Sequence, residues 1–110
     1  MVAALAHRQI ELATLCARFG VRRLEVFGSA ATGEGFDAQT SDIDMIVEFR
    51  DDQDLGPWLT NYFSFRDALS NLLGYPIDLV MSSAMKNSYF IREANRTRKL
   101  LYGPEEPKAS

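Results

Sequence analysis

The sequence predicts an α+β (α/β) fold, a small sheet of three to four strands with helices packed on it. Segments of helical periodicity alternate with short β-branched and aromatic segments, and such interleaving buries helices against a sheet. The 110 residues are 46% hydrophobic and 25% charged, the balance of a globular domain with its own core. The chain reads as one domain over residues 1–103, followed by a disordered tail over 104–110 that carries two of the four prolines.

The elements follow in order. From Ala3 to Phe19 the pattern is helical, with Leu5, Ile10, Leu12, Leu15 and Phe19 assigned to one apolar face and Gly20 at the C-terminal stop. Val21 to Phe27 is a strand in which Leu24 and Val26 alternate with Arg23 and Glu25. Gly28-Ser29 follows at once, then a short helical turn and a loop to Thr40 rich in glycine and small polar residues. Asp42 to Phe49 is a second strand, with Ile43, Met45, Val47 and Phe49 on one face and Asp42, Asp44, Ile46 and Glu48 on the other. An acidic loop runs from Arg50 to Gly56. Pro57 suits a first helical position, and the helix continues to Leu73 before Gly74. Its apolar stripe is Trp58, Tyr62, Phe65, Leu69 and Leu72, widened by Leu59 and Phe63. Pro76 to Met81 is a third strand, one or two short helices occupy residues 83–94, and Lys99 to Tyr102 fits a last short strand. Periodicity does not determine the strand order.

Composition excludes several classes. Twelve basic against fifteen acidic residues give a net charge of −3, which argues against general nucleic-acid binding. No apolar run reaches the ~18 residues of a membrane span, and the N-terminus is interrupted by His7, Arg8 and Glu11, unlike a signal peptide. Cys16 is alone, so an internal disulfide or a cysteine-built zinc centre cannot form. The expectation is a cytoplasmic protein. His7, the single histidine, lies away from every motif in sequence, which leaves no histidine base for a catalytic triad unless the fold brings His7 close.

The chemistry concentrates in carboxylates. Asp42 and Asp44 are two apart on a strand and so project from one face, where paired negative charge resists burial unless a cation offsets it. Taken alone the pair also fits a solvent-facing strand. Asp78 is a third carboxylate in an apolar strand, Ile77-Asp78-Leu79. If the two strands are neighbours, the three acids converge into an oxygen-donor site for one or two Mg²⁺ ions, the arrangement used in phosphoryl and nucleotidyl transfer. Asp78 also fits a strand-end or cap role. Gly28-Ser29, between a strand and a helical turn, allows backbone to approach a phosphate and adds a hydroxyl donor, although a lone Gly-Ser is more often an ordinary turn.

The segments Val26-Phe-Gly-Ser-Ala-Ala-Thr-Gly-Glu34, Ser41-Asp-Ile-Asp-Met-Ile-Val-Glu-Phe49 and Pro76-Ile-Asp-Leu-Val-Met-Ser-Ser-Ala-Met-Lys86 together resemble the minimal nucleotidyltransferases of the DNA polymerase β superfamily. The likeness covers residues 21–102. It implies a mixed sheet flanked by helices. It also implies that Asp42 and Asp44 ligate two Mg²⁺ ions, and that Asp78 ligates the catalytic ion and helps activate the attacking hydroxyl. Gly28 and Ser29 would hold the β- and γ-phosphates of ATP, with Thr32 in the same nucleotide-binding loop. Many such proteins are antitoxins that silence a HEPN-domain RNase toxin by transferring AMP from ATP to a tyrosine of that toxin. Thr32 stands where the family usually carries Arg, which removes a cation from the phosphate site; Arg92, Arg96 and Arg98 are the candidates to replace it, and a solvated surface is the rival reading for them. Two rival functions remain open: an antitoxin that neutralises its partner by binding alone, and a nucleotidyltransferase acting on a small molecule.

Overall fold

The computed structural model describes residues 1–104; the tail expected over 104–110 lies, beyond Pro104, outside them. Four strands, β1 (Val21–Phe27), β2 (Ile43–Phe49), β3 (Ile77–Met81) and β4 (Lys99–Tyr102), form one sheet in the order β3-β2-β1-β4. β2 and β3 run parallel, while β1 is antiparallel to both β2 and β4. The sheet is therefore mixed. The parallel step is bridged by α4 (Thr60–Leu73), as a parallel connection requires a crossover.

The two faces of the sheet differ. On one, Leu24 and Val26 of β1, Ile43, Met45 and Val47 of β2, and Ile77 and Leu79 of β3 join Leu5, Leu12, Cys16, Phe65, Leu69 and Leu73 in the main core. These helical residues come from α1 (Ala3–Ala6), α2 (Gln9–Arg18) and α4, and the short α3 (Ser29–Thr32) adds Ala30 and Ala31. On the other face, Phe27 and Ile46 pack with Ala94 of α5 (Ser88–Thr97), joined by Met85 and Phe90. The residues expected to carry chemistry lie on this second, thinner face.

Three sequence expectations change. The N-terminal helix breaks at His7-Arg8 into α1 and α2, and Ile10 is 82% exposed. At about 100° per residue, Ile10 falls roughly 140° from Leu5 even in a continuous helix, whereas Leu12 and Cys16 return to the same side. Trp58 is 93% exposed and does not belong to the core stripe. Trp58 and Leu59 take left-handed backbone angles (φ 56 and 55), so Pro57–Leu59 is a separate 3₁₀ turn and α4 begins at Thr60. Its inward stripe is Phe65, Leu69 and Leu73, with Tyr62 and Leu72 half-buried at its margin. Arg23 and Glu25 are buried despite the alternation of β1. The guanidinium of Arg98, just past α5, spans both oxygens of Glu25 at 2.9 and 2.6 Å, and a nitrogen of Arg23 stands 3.4 Å from the same carboxylate. The pairing replaces the water that a polar strand face would otherwise need.

Candidate active site

The site forms where β1 ends and β2 and β3 begin. Ile43 donates its N–H to the carbonyl of Pro76 at 3.0 Å, which aligns the starts of the two parallel strands. Asp44 then stands opposite Asp78 on β3 and opposite Phe27 on β1. Register neighbours on adjacent strands share a face, so the two carboxylates point the same way across a strand spacing of about 4.8 Å. This adjacency meets the condition on which convergence depended, that the two strands be neighbours, for Asp44 and Asp78; Asp42 precedes β2 and lies outside the paired register. Asp44 is half-buried; Asp42 and Asp78 are exposed.

Electrostatics follow from that placement. The Asp44 carboxyl is pushed up to about 6, first by burial, then by the charge of Asp78 and a hydrogen bond with it, and last by the charge of Asp42. Each of these causes disfavours the ionised form of Asp44, with Asp78 the stronger of the two neighbouring charges and Asp42 the weaker. Among the described residues no three acidic, imidazole or thiol groups are gathered into a ready metal cage. The donor chemistry nevertheless fits a hard divalent cation. Every candidate ligand is a carboxylate oxygen, Asp44 and Asp78 already repel, and Asp42, exposed two residues before Asp44, adds to the same negative charge. The loop before Asp42 is held by Asp37, which sequence reading passed over. Its carboxylate accepts from the Gln39 N–H at 2.8 Å, its own N–H donates to the Ser41 hydroxyl at 2.8 Å, and its carbonyl accepts from Ser41 N–H at 2.9 Å.

Gly28 ties the remaining parts to the carboxylates. It adopts φ 73, ψ −152, a region essentially reserved for glycine. A Cβ there would sit 2.9 Å from Asp44 Oδ2. The backbone passes this close to the acid only because the side chain is absent. The Gly28 N–H donates to the Thr97 hydroxyl of α5 at 2.7 Å, and the Gly28 carbonyl accepts from Ala31 N–H at 3.1 Å. Sequence reading missed Thr97, since it lies 69 residues from Gly28 and no local pattern marks it. Around this loop a cavity of about 370 Å³ is lined by Gly28, Ser29, Thr32, Glu34, Glu93, Arg96 and Thr97. A larger cavity of about 520 Å³, lined by Arg22, Arg50, Asp51, Asp52 and Tyr102 among others, lies at the far ends of β1 and β2 and away from the acids.

Of the three arginines considered for the phosphate site, only Arg96 lines the cavity. Arg98 is engaged with Glu25. The order of the pieces is Gly-Ser after β1, Asp-x-Asp entering β2 and an Asp in register on β3. Compared with known proteins, residues 11–101 match the nucleotidyltransferase domain family. The chain belongs to that family. Its relatives include the protein adenylyltransferase MntA of Thermococcus cleftensis, 40% identical over 70 residues, which are 64% of this chain and 65% of the relative. The aligned segment thus spans just under two thirds of that protein. A solved structure described as a minimal nucleotidyltransferase superposes with a TM-score of 0.67 at 30% identity, covering 86% of this chain and 90% of the other. The fold also recurs in the MNT antitoxin solved in complex with a tri-AMPylated HEPN toxin of Shewanella oneidensis, with a TM-score of 0.61 at 18% identity over 91% of this chain and 73% of the other. As in other members of this nucleotidyltransferase family, helices flank a mixed sheet, here of four strands.

Proposed function

We propose that this nucleotidyltransferase moves AMP from ATP to a hydroxyl, a tyrosine of a HEPN-domain partner, and that the chain acts as the antitoxin of that pair. The observation that carries the chemistry is Asp44 in register with Asp78, with Gly28 packed against Asp44. The relatives support a protein acceptor, since one is named a protein adenylyltransferase and a structural neighbour is an antitoxin in complex with a tri-AMPylated HEPN toxin.

In this reading Asp42, Asp44 and Asp78 would hold Mg²⁺. The ion, when bound, supplies positive charge to the phosphates and to the pyrophosphate that departs. The protein residues divide the remaining work. Gly28 and Ser29, with Thr32 beyond them, hold the β- and γ-phosphates in the cavity beside the acids. Asp78, exposed at the strand start, is placed to take the proton from the acceptor hydroxyl as its oxygen attacks the α-phosphorus. The α–β anhydride bond breaks, pyrophosphate leaves, and the acceptor retains AMP. Asp44 stays fixed by its half-buried position between Phe27 and Asp78. No helix among the described residues is long and apolar enough to cross a membrane.

Asp78→Asn tests the proposal. The side chain is exposed, so the fold should tolerate the change. Transfer to the partner, read by mass spectrometry of the intact partner protein, should fall by about 10²–10⁴-fold. In cells that co-express the pair, toxicity should return. Full protection by a well-expressed, partner-binding Asp78→Asn protein would replace the enzymatic reading with neutralisation by binding alone.

A further inference from the structure

We infer that Arg96 supplies the cation for the terminal phosphates of the bound nucleoside triphosphate, and that Glu93 holds it in reserve when the site is empty. The inference rests on the nucleotidyl-transfer reading and names the residue that reading leaves unassigned. A triphosphate is a concentrated negative charge, and the acids of this site add to the repulsion it meets. Within the cavity beside Gly28, the titratable side chains are Glu34, Glu93 and Arg96, so Arg96 is the one positive group among the lining residues.

The placement of Arg96 is fixed although its side chain is not. It belongs to the last turn of α5. The next residue, Thr97, accepts the Gly28 N–H at 2.7 Å, and the one after, Arg98, grips Glu25 of β1 through two hydrogen bonds. These anchors lock the backbone of Arg96 to the loop that would carry the phosphates. The side chain is 71% exposed, and its guanidinium meets Glu93, one turn earlier, through a single 3.3 Å contact. Such a surface pair contributes little and exchanges readily for a better partner. A phosphate offers that partner, because a guanidinium binds it with two parallel, charge-assisted hydrogen bonds. Glu93 therefore competes with the nucleotide for Arg96, and weakening Glu93 should strengthen nucleotide binding.

The test is isothermal titration of the full chain, in Mg²⁺, with a non-hydrolysable ATP analogue and separately with AMP. Arg96→Ala should raise the Kd for the triphosphate analogue by roughly ten- to a hundredfold, the effect of losing charge-assisted hydrogen bonds. It should leave AMP binding unchanged, since AMP lacks the terminal phosphates. Glu93→Gln should tighten the triphosphate and leave AMP alone. Thr32→Arg on the Arg96→Ala background should recover triphosphate binding, because position 32 lines the same cavity. If Arg96→Ala lowers the melting temperature, Arg96→Gln gives the same readout with the stem preserved. Unchanged triphosphate binding, or an equal loss for both ligands, would overturn the assignment while the nucleotidyl-transfer reading survives. A wild-type protein that binds neither ligand would overturn that reading, and the assignment with it.

Discussion

Asp44→Asn is expected to stabilise the metal-free protein while abolishing transfer. Asp44 is half-buried against Asp78, and its carboxyl lies at about 6 instead of 3.8. Between about pH 4 and pH 6 the folded state therefore holds more protons than the unfolded state, and stability falls as pH rises through that window. A displacement of this size corresponds to about 3 kcal/mol between the two protonation states. Asp44 is only half-buried, and solvent screening reduces the expected cost of its ionisation to about 1–2 kcal/mol. Asparagine removes the charge, and its amide N–H can donate to the Asp78 carboxylate. At pH 7 the substitution should raise the melting temperature by roughly 5–10 °C. Thermal unfolding followed by circular dichroism from pH 4 to pH 8, without metal, reads both quantities. The wild type should lose stability between pH 4 and pH 6, and the Asn variant should show a flatter profile there. Equal melting temperatures at pH 7, together with parallel pH profiles, would refute the argument that Asp44 and Asp78 store repulsion.

Two further outcomes follow from the loop contacts. Gly28→Ala forces a methyl to 2.9 Å from Asp44 Oδ2 in a backbone region that only glycine favours, so it should cost about 1–3 kcal/mol in chemical denaturation and also eliminate transfer. Thr97→Val removes the acceptor of the Gly28 N–H and should cost about 1–3 kcal/mol, with a raised KM for ATP; Thr97→Ser keeps the hydroxyl and should restore both, which a purely steric role for Thr97 would not produce.

The resemblance in sequence came from three short segments, and each owes its legibility to a local cause. Gly28 is visible because a tight passage admits no other residue. Asp42 and Asp44 are visible because charge on an apolar strand breaks the pattern, and Asp78 stands out in the same way between Ile77 and Leu79. The strand segments were equally legible, since alternation and β-branching act within a few residues: β1 and β4 occupy the segments expected from the pattern. Errors arose where backbone angles or the far side of a helix mattered. The left-handed turn at Trp58 and Leu59 has no glycine to announce it, and it removed Trp58 from the stripe. Ile10 fits the apolar count of the N-terminal helix but falls outside its buried face by helix geometry.

Periodicity and charge are properties of neighbouring residues, so the four strands, the long helix, most of the main core and the acids can be read along the chain. Which groups meet depends on packing between distant segments. Strand order places Asp78 beside Asp44 from 34 positions away, since β2 and β3 pair in parallel register. The packing of α5 on the thin face brings Thr97 to Gly28 and Arg98 to a buried Glu25, and of the three candidate arginines it leaves Arg96 at the cavity. These contacts depend on how distant segments share one sheet face, and a sequence pattern holds no record of that distance.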